Sequence, residues 1–312
     1  MSVYPPGLSR RVAALLLASA FALPLVPRPA PGDAPSCDAV KQDYASKHDM
    51  MNSETLNFLL FDAADAGCED LVEQFLADGA PIEARNRIGN TALIIAARSG
   101  RLNVVTLLLS RGAAVNYANL NGVTALLAAA TKGRDDVVRA LLGANADVTI
   151  ADGHGVTPLI AAGFAGDAAV AELLIRAGAN VQDVDTTGKG TIVYASARGS
   201  VPIVKLMLDS GIDVNKRYGN DLTALMWAAG YADDVQTADG IATVQLLLSK
   251  GAKLDLADNR GRTALMIAAE RGHAEVIATL LAAGADRALR DKDGKTAIDL
   301  ATIDGVKQAL IR

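Results

Sequence analysis

The chain has 312 residues, more than one ordinary globular domain, so either two domains or an elongated array is expected. Half of it is apolar yet only 4% is aromatic, which favours thin layers of short helices rich in Ala, Leu, Val and Ile over a thick core. A net charge of −5 argues against a nucleic-acid partner, and three histidines with two scattered cysteines give no metal-ligand spacing.

Residues 1–35 read as an address followed by a Pro-rich segment. Arg10 and Arg11 form a positive start, and Val12 to Leu25 is an apolar run of signal-peptide length, too short to span the ~30 Å hydrocarbon core. Ala20-Phe21-Ala22 offers a small-x-small cleavage pattern. The expectation is export, to a bacterial periplasm or beyond the cell, with no stable membrane insertion after cleavage. A membrane anchor or a misread start codon is the alternative. Export bears on Cys37 and Cys68, because an even cysteine count in an oxidising compartment suggests a disulfide. Such a bridge would clamp a leading helix (36–52, opening CDAVKQDYASKH) onto the end of the array; two unpaired thiols are the other reading.

From residue 53 onward a 33-residue period governs the chain. Gly67, Gly100, Gly133, Gly166 and Gly199 form one series, and Gly89, Gly122, Gly155 and Gly188 a second in phase with it. Units start near 53, 86, 119, 152, 185, 218, 258 and 291, the last being short and carrying polar residues that suit a cap. Within 91–115, Thr91 caps a short helix with Leu93, Ala96 and Ala97 on one face. Gly100 ends it, and Val104, Val105, Leu107, Leu108 and Leu109 line a second helix. Neither helix can bury its face alone, so the units must stack. Asp221 replaces a turn glycine, and Pro158 and Pro202 fall in first helical turns.

These segments resemble the ankyrin repeat family: TPLIAAGFAG (157–166), TALMIAAERGHAEV (263–276) and LLLSKGAKLDLADNRG (246–261) match its pattern over 53–312. The resemblance implies an all-α repeat solenoid of about seven helix-turn-helix units with short β-turn hairpins and a C-terminal capping unit. The family's start-motif histidine is replaced here by Ile94, Leu127, Ile160, Val193, Met226 and Met266. Hairpins held more by burial than by polar bonds are therefore expected.

The resemblance also implies a protein partner bound on the concave face of inner helices and hairpins. On that face, four of the twelve aromatics fall in three successive units: Phe164, Tyr194, Trp227 and Tyr231, flanked by Arg198 and Arg271. Binding and packing are both open for this cluster, with Phe164 and Tyr231 expected to be more exposed than Tyr194. Seven extra residues in the sixth unit, around DDVQTAD (233–239), make either a solvated loop or a contact finger. No nucleophile–base pair or phosphate loop stands out, so an enzyme is not expected, nor a cofactor. The expectation is a monomeric, exported interaction module; a secreted effector and an assembly partner of another exported protein are the alternatives.

Overall fold

The computed structural model describes residues 35–47 and 52–311; the signal-peptide reading lies outside them. Among the described residues there are 17 α-helices and no strand, only isolated bridges at hairpin bases such as Ala118 with Thr124. Helix α1 (Cys37–Lys47) leads, and helix pairs follow. The inner helices are α2 (Ser53–Ala66), α4 (Ala92–Ser99), α6 (Ala125–Thr131), α8 (Pro158–Ala165), α10 (Thr191–Ala197), α12 (Ala224–Ala229), α14 (Ala264–Arg271) and α16 (Ala297–Leu300). Their outer partners are α3 (Glu69–Ala77), α5 (Leu102–Ser110), α7 (Asp135–Gly143), α9 (Ala168–Arg176), α11 (Val201–Asp209), α13 (Thr237–Ser249), α15 (Ala274–Ala282) and α17 (Asp304–Ile311). Inner helices pack on inner, outer on outer, and each pair on itself.

The core is what that layering buries. In the second unit Ala96, Ala97, Val104, Val105 and Leu108 are fully buried, and Ala129, Ala130, Val137, Val138 and Leu141 repeat the set one unit on. Alanine in the inner layer permits close approach; Val and Leu in the outer layer fill the remaining space. The helix ends follow local chemistry. Thr91, Thr124, Thr157, Thr223 and Thr263 each accept the N–H three residues on through the side-chain oxygen. Gly100 closes α4 at φ +74°, in the left-handed region that glycine enters without a Cβ penalty.

The hairpins differ from expectation. In six units they are held by backbone N–H groups that donate to the side chain of the Asn or Asp opening the unit. One Asp152 carboxylate oxygen accepts the N–H groups of His154 and Val156 at 2.8 and 2.9 Å. Asn86, Asn119, Asp185, Asp258 and Asp291 repeat the pattern at the same two spacings. The family histidine is therefore replaced by an Asx-turn as well as by apolar packing. Successive tips join through single backbone bonds, such as Thr186 N–H to His154 C=O at 2.9 Å. Approach is close there: a Cβ on Gly122 would lie 2.9 Å from Asp152 Cα.

Two local departures matter later. Gly163 in α8 stands where other units have Ala97 and Ala130, and Thr191 in α10 where they have Ala92 and Ala125. The larger residue sits against the smaller. At the sixth unit, the opening residue is Tyr218, which has no carboxylate or carboxamide to accept the turn, and Asn220 and Asp221 both adopt φ +62°.

At the N-terminal end the sulfurs of Cys37 and Cys68 lie at bonding distance, 2.10 Å, with Cα atoms 5.5 Å apart. Helix α1 also rests on the array through buried Val40, a Tyr44–Phe75 ring contact at 5.1 Å, and the Tyr44 hydroxyl donating to Asp78 at 2.9 Å.

Candidate protein-interaction face

The inner helices carry small residues towards the core and leave one column of side chains beside the hairpins. In that column Ile95, Ala128 and Ala161 give way to Tyr194 and Trp227 before Ile267 resumes the apolar series. The change of size falls on α10 and α12, in the middle of the array.

Tyr194 is 8% exposed, and its hydroxyl donates a short hydrogen bond to Asp185, the residue that also caps its hairpin. Burial pushes the phenol well above its usual range, and the bond to Asp185 adds to the shift. Burial also acts to raise the Asp185 carboxyl. Hydrogen bonds from Thr187, Tyr194 and the backbone N–H groups of Lys189 and Thr187 outweigh it, holding the group below the ordinary carboxylate value. Tyr194 is thus fixed in place from below, and only part of one ring face reaches the surface.

Phe164 is 37% exposed and meets the Tyr194 ring edge-on, 5.9 Å between centroids. The Arg198 guanidinium lies 5.9 Å from the Phe164 centroid and donates to Asp234 at 2.8 and 3.1 Å. Trp227 is half-buried, and its Nε1 is buried with no hydrogen-bond acceptor among the described residues. The ammonium of Lys189 sits 5.4 Å from the Trp227 ring centroid and 5.9 Å from that of Tyr194. Four of the six sequence-selected residues, Phe164, Tyr194, Arg198 and Trp227, are therefore brought into one surface. Lys189 links two of them and lies outside the expected set; its signal was a cation at a hairpin position that holds Val156 and Leu222 in the adjoining units.

The expectation for Tyr231 is overturned. It is only 5% exposed, less than Tyr194, because its ring stacks on His273 with centroids 3.8 Å apart and planes within 9°. Gly240, on α13, lies against the other side of that ring, where a Cβ would collide with it. Tyr231 is a packing residue between the sixth and seventh units. His273 Nδ1 is 2.9 Å from the Ala229 carbonyl oxygen, and burial holds the imidazole below its usual value. Arg271 is half-buried beside Gly230, apart from the aromatic group.

The insertion in the sixth unit is part loop and part helix. Residues from Thr237 on form the first turn of α13, which reaches 13 residues where α11 has 9. Before it, the chain folds back on the fifth unit: Ala232 N–H donates to the Ala197 carbonyl at 3.0 Å, and Asp234 holds Arg198. The insertion thus borders the aromatic surface. Among the described residues no cluster of His, Cys, Asp or Glu is placed to hold a metal, and no helix is long and apolar enough to cross a membrane.

Stacked helix pairs, Asx-capped hairpins and one elaborated inner column define an ankyrin-type repeat solenoid. A family model described as ankyrin repeats, in three copies, matches residues 60–152, 159–237 and 235–310, and the chain belongs to that family. The crystal structure of the human ASB11 ankyrin repeat domain superposes with a TM-score of 0.65 at 31% identity, covering 71% of this chain and 97% of that one. Ankyrin repeat domain-containing protein 63 of Homo sapiens is 46% identical over 59 residues, and that of Mus musculus 44% over 59 residues. Each match covers 19% of this chain and only 15% or 14% of the relative, well short of either whole protein. Ankyrin repeats generally mediate protein–protein interaction and typically serve as non-catalytic scaffolds.

Proposed function

We propose that this protein is a non-catalytic, monomeric interaction module that grips a protein partner on its inner-helix and hairpin face, at Phe164, Tyr194, Trp227, Lys189 and Arg198. The observation that carries the reading is the replacement of Ile and Ala by Tyr194 and Trp227 in the middle of one inner column, with the exposed Phe164 ring against Tyr194. Rigid aromatics with an arginine at the edge are what interface hot spots are made of. Phe164 carries the most exposed ring of the group, and nothing in the fold requires a phenylalanine there: the same position is Thr131 in one neighbouring unit and Ala197 in the other.

The module acts after export, in the periplasm. Arg10, Arg11 and the apolar run Val12–Leu25 support that, as does the Cys37–Cys68 pair at bonding distance, which suits an oxidising compartment. A secreted effector would use the same surface on a different partner.

The test is capture of partners from the compartment fraction by the wild-type chain and by a Phe164→Ala, Trp227→Ala variant with an unchanged far-UV spectrum. A partner held by wild type and released by the variant supports the reading. A partner retained in full assigns these rings to packing and moves the interface elsewhere.

A further inference from the structure

Lys189 occupies the hairpin position just before the inner helix, and Arg262 occupies the same position two units on. Arg262 shows what a cation there recruits: Glu270 at 2.6 Å from its own inner helix and Asp291 at 3.4 Å from the next hairpin. Both carboxylates are missing around Lys189. The residue equivalent to Glu270 is Ala197, and the residue equivalent to Asp291 is Tyr218. Lys189 forms no ion pair among the described residues, although it is half-buried and the Tyr194 and Trp227 rings crowd it. Desolvation holds its ammonium below the usual lysine value, only partly offset by Asp185. A cation in that setting gains more from a carboxylate than a fully hydrated surface lysine does.

The surrounding charges agree. Arg98, Lys132 and Arg271 also lie on this face without an ion pair among the described residues. Two of its acidic groups are already engaged, Asp234 by Arg198 and Glu270 by Arg262. Asp233 and Asp239 in the insertion are exposed, and Asp62 and Asp65 make the first unit's end acidic, so the unpaired cations run from the second unit to the seventh. A protein of net charge −5 thus leaves four cations of its inner face, Arg98, Lys132, Lys189 and Arg271, unpaired among the described residues.

We propose that the partner is an acidic polypeptide segment, one of whose carboxylates seats on Lys189 between the Tyr194 and Trp227 rings, supplying the ion pair that Glu270 gives Arg262. This rests on the inner-face reading above and names the chemistry of what that face holds.

Ala197→Glu tests it directly, because it builds the Glu270 equivalent into the fifth unit and satisfies Lys189 from within. The full chain is titrated at low ionic strength with fluorescein-labelled poly-Glu, poly-Gln and poly-Lys peptides, reading anisotropy and the fluorescence of Trp227, the sole tryptophan. Poly-Glu is expected to bind and to shift the Trp227 signal. Its affinity should fall about tenfold in both Lys189→Gln and Ala197→Glu, and steeply with added salt. Lys189→Gln removes the cation and Ala197→Glu neutralises it, so a fold defect in one variant does not excuse the other. Failure of poly-Glu to bind, equal binding of poly-Gln, or indifference to both substitutions overturns the acidic assignment. If poly-Gln or poly-Lys binds instead and Trp227→Ala abolishes it, the inner-face reading survives while the charge inference fails.

Discussion

Replacing Gly163 by alanine is expected to weaken the protein, against the usual rule. In an open helix, glycine costs about 1 kcal/mol relative to alanine, so the change should stabilise α8. Here the added Cβ would lie 2.7 Å from Thr191 Cγ2, 2.9 Å from the Thr191 carbonyl oxygen and 3.3 Å from its Cα. A methyl could turn away, but the backbone oxygen cannot without moving α10. Overpacking of that kind costs about 1–3 kcal/mol, and the rigid contact places it at the upper end. The net effect is a loss of about 2 kcal/mol. Thr191→Ala alone removes a buried methyl and hydroxyl, at a cost of about 1 kcal/mol. Combined, the two restore the Ala–Ala pairing present at positions 97 and 125, relieving the Cγ2 clash though not the carbonyl one. The coupling should be about 1 kcal/mol favourable. Urea denaturation of wild type, both single variants and the double variant measures all four corners. A stabilised Gly163→Ala, or strictly additive effects, would refute the argument that these two residues were sized against each other.

Breaking the Cys37–Cys68 link should free α1, and closing a loop of 31 residues is worth roughly 3–4 kcal/mol on chain-entropy grounds. Hydrogen exchange at α1 amides should rise with reductant while α4 to α16 stay protected; equal free-thiol counts with and without reductant would remove the bridge itself. Tyr231→Leu should lower stability by about 2–4 kcal/mol without changing partner affinity in the folded fraction, since the ring is enclosed by His273 and Gly240. Because burial depresses the His273 pKa in the fold, its neutral form is favoured there. Stability should therefore fall as pH drops below the unfolded value of about 6.5, and His273→Gln should flatten that part of the curve. The depressed Asp185 carboxyl acts lower: its contribution is full above about pH 4 and is lost as pH falls through the folded value, which Asp185→Asn should abolish.

The fold was legible because its cause is periodic. Glycines that need a left-handed backbone, such as Gly100, and threonines that cap, such as Thr91, recur every 33 residues and mark each turn and helix start. The site was legible only as columns. Phe164, Tyr194 and Trp227 stood out by size against Ala128 and Ala161, but exposure depends on what the neighbouring unit lays over each ring. Tyr231 illustrates the difference. Its burial needs Gly240 to fall against it, and Gly240 lies inside α13, where the equivalent Ser200 and Asp167 only occupy the N-caps of their helices. The Asn or Asp at each of these turns was legible as a turn residue, but that its side-chain oxygen gathers two N–H groups depends on the folded hairpin. Lys189 was overlooked for a related reason: its meaning lies in Ala197 and Tyr218, residues without charge that acquire significance only beside Arg262, Glu270 and Asp291.

The Tyr218 hairpin has a consequence for how the array holds together. Six other hairpins are each pinned by an Asn or Asp whose side-chain oxygen accepts two backbone N–H groups of the turn. At 218–222 that anchor is gone, and two non-glycine residues at φ +62° hold strain in its place. Arg217 reaches across to the Ala257 carbonyl at 2.7 Å, beside the tip bond from Asn259 N–H to the Asn220 carbonyl at 3.0 Å. In a chain whose cohesion is a sum of nearest-neighbour joints, the tip bonds on either side, that one and the one from Gly219 N–H to the Gly188 carbonyl, carry the alignment that an internal anchor shares elsewhere. Tyr194 precedes that hairpin and Trp227 follows it, so a ligand seated on Lys189 between the two rings would act as a rivet across the joint.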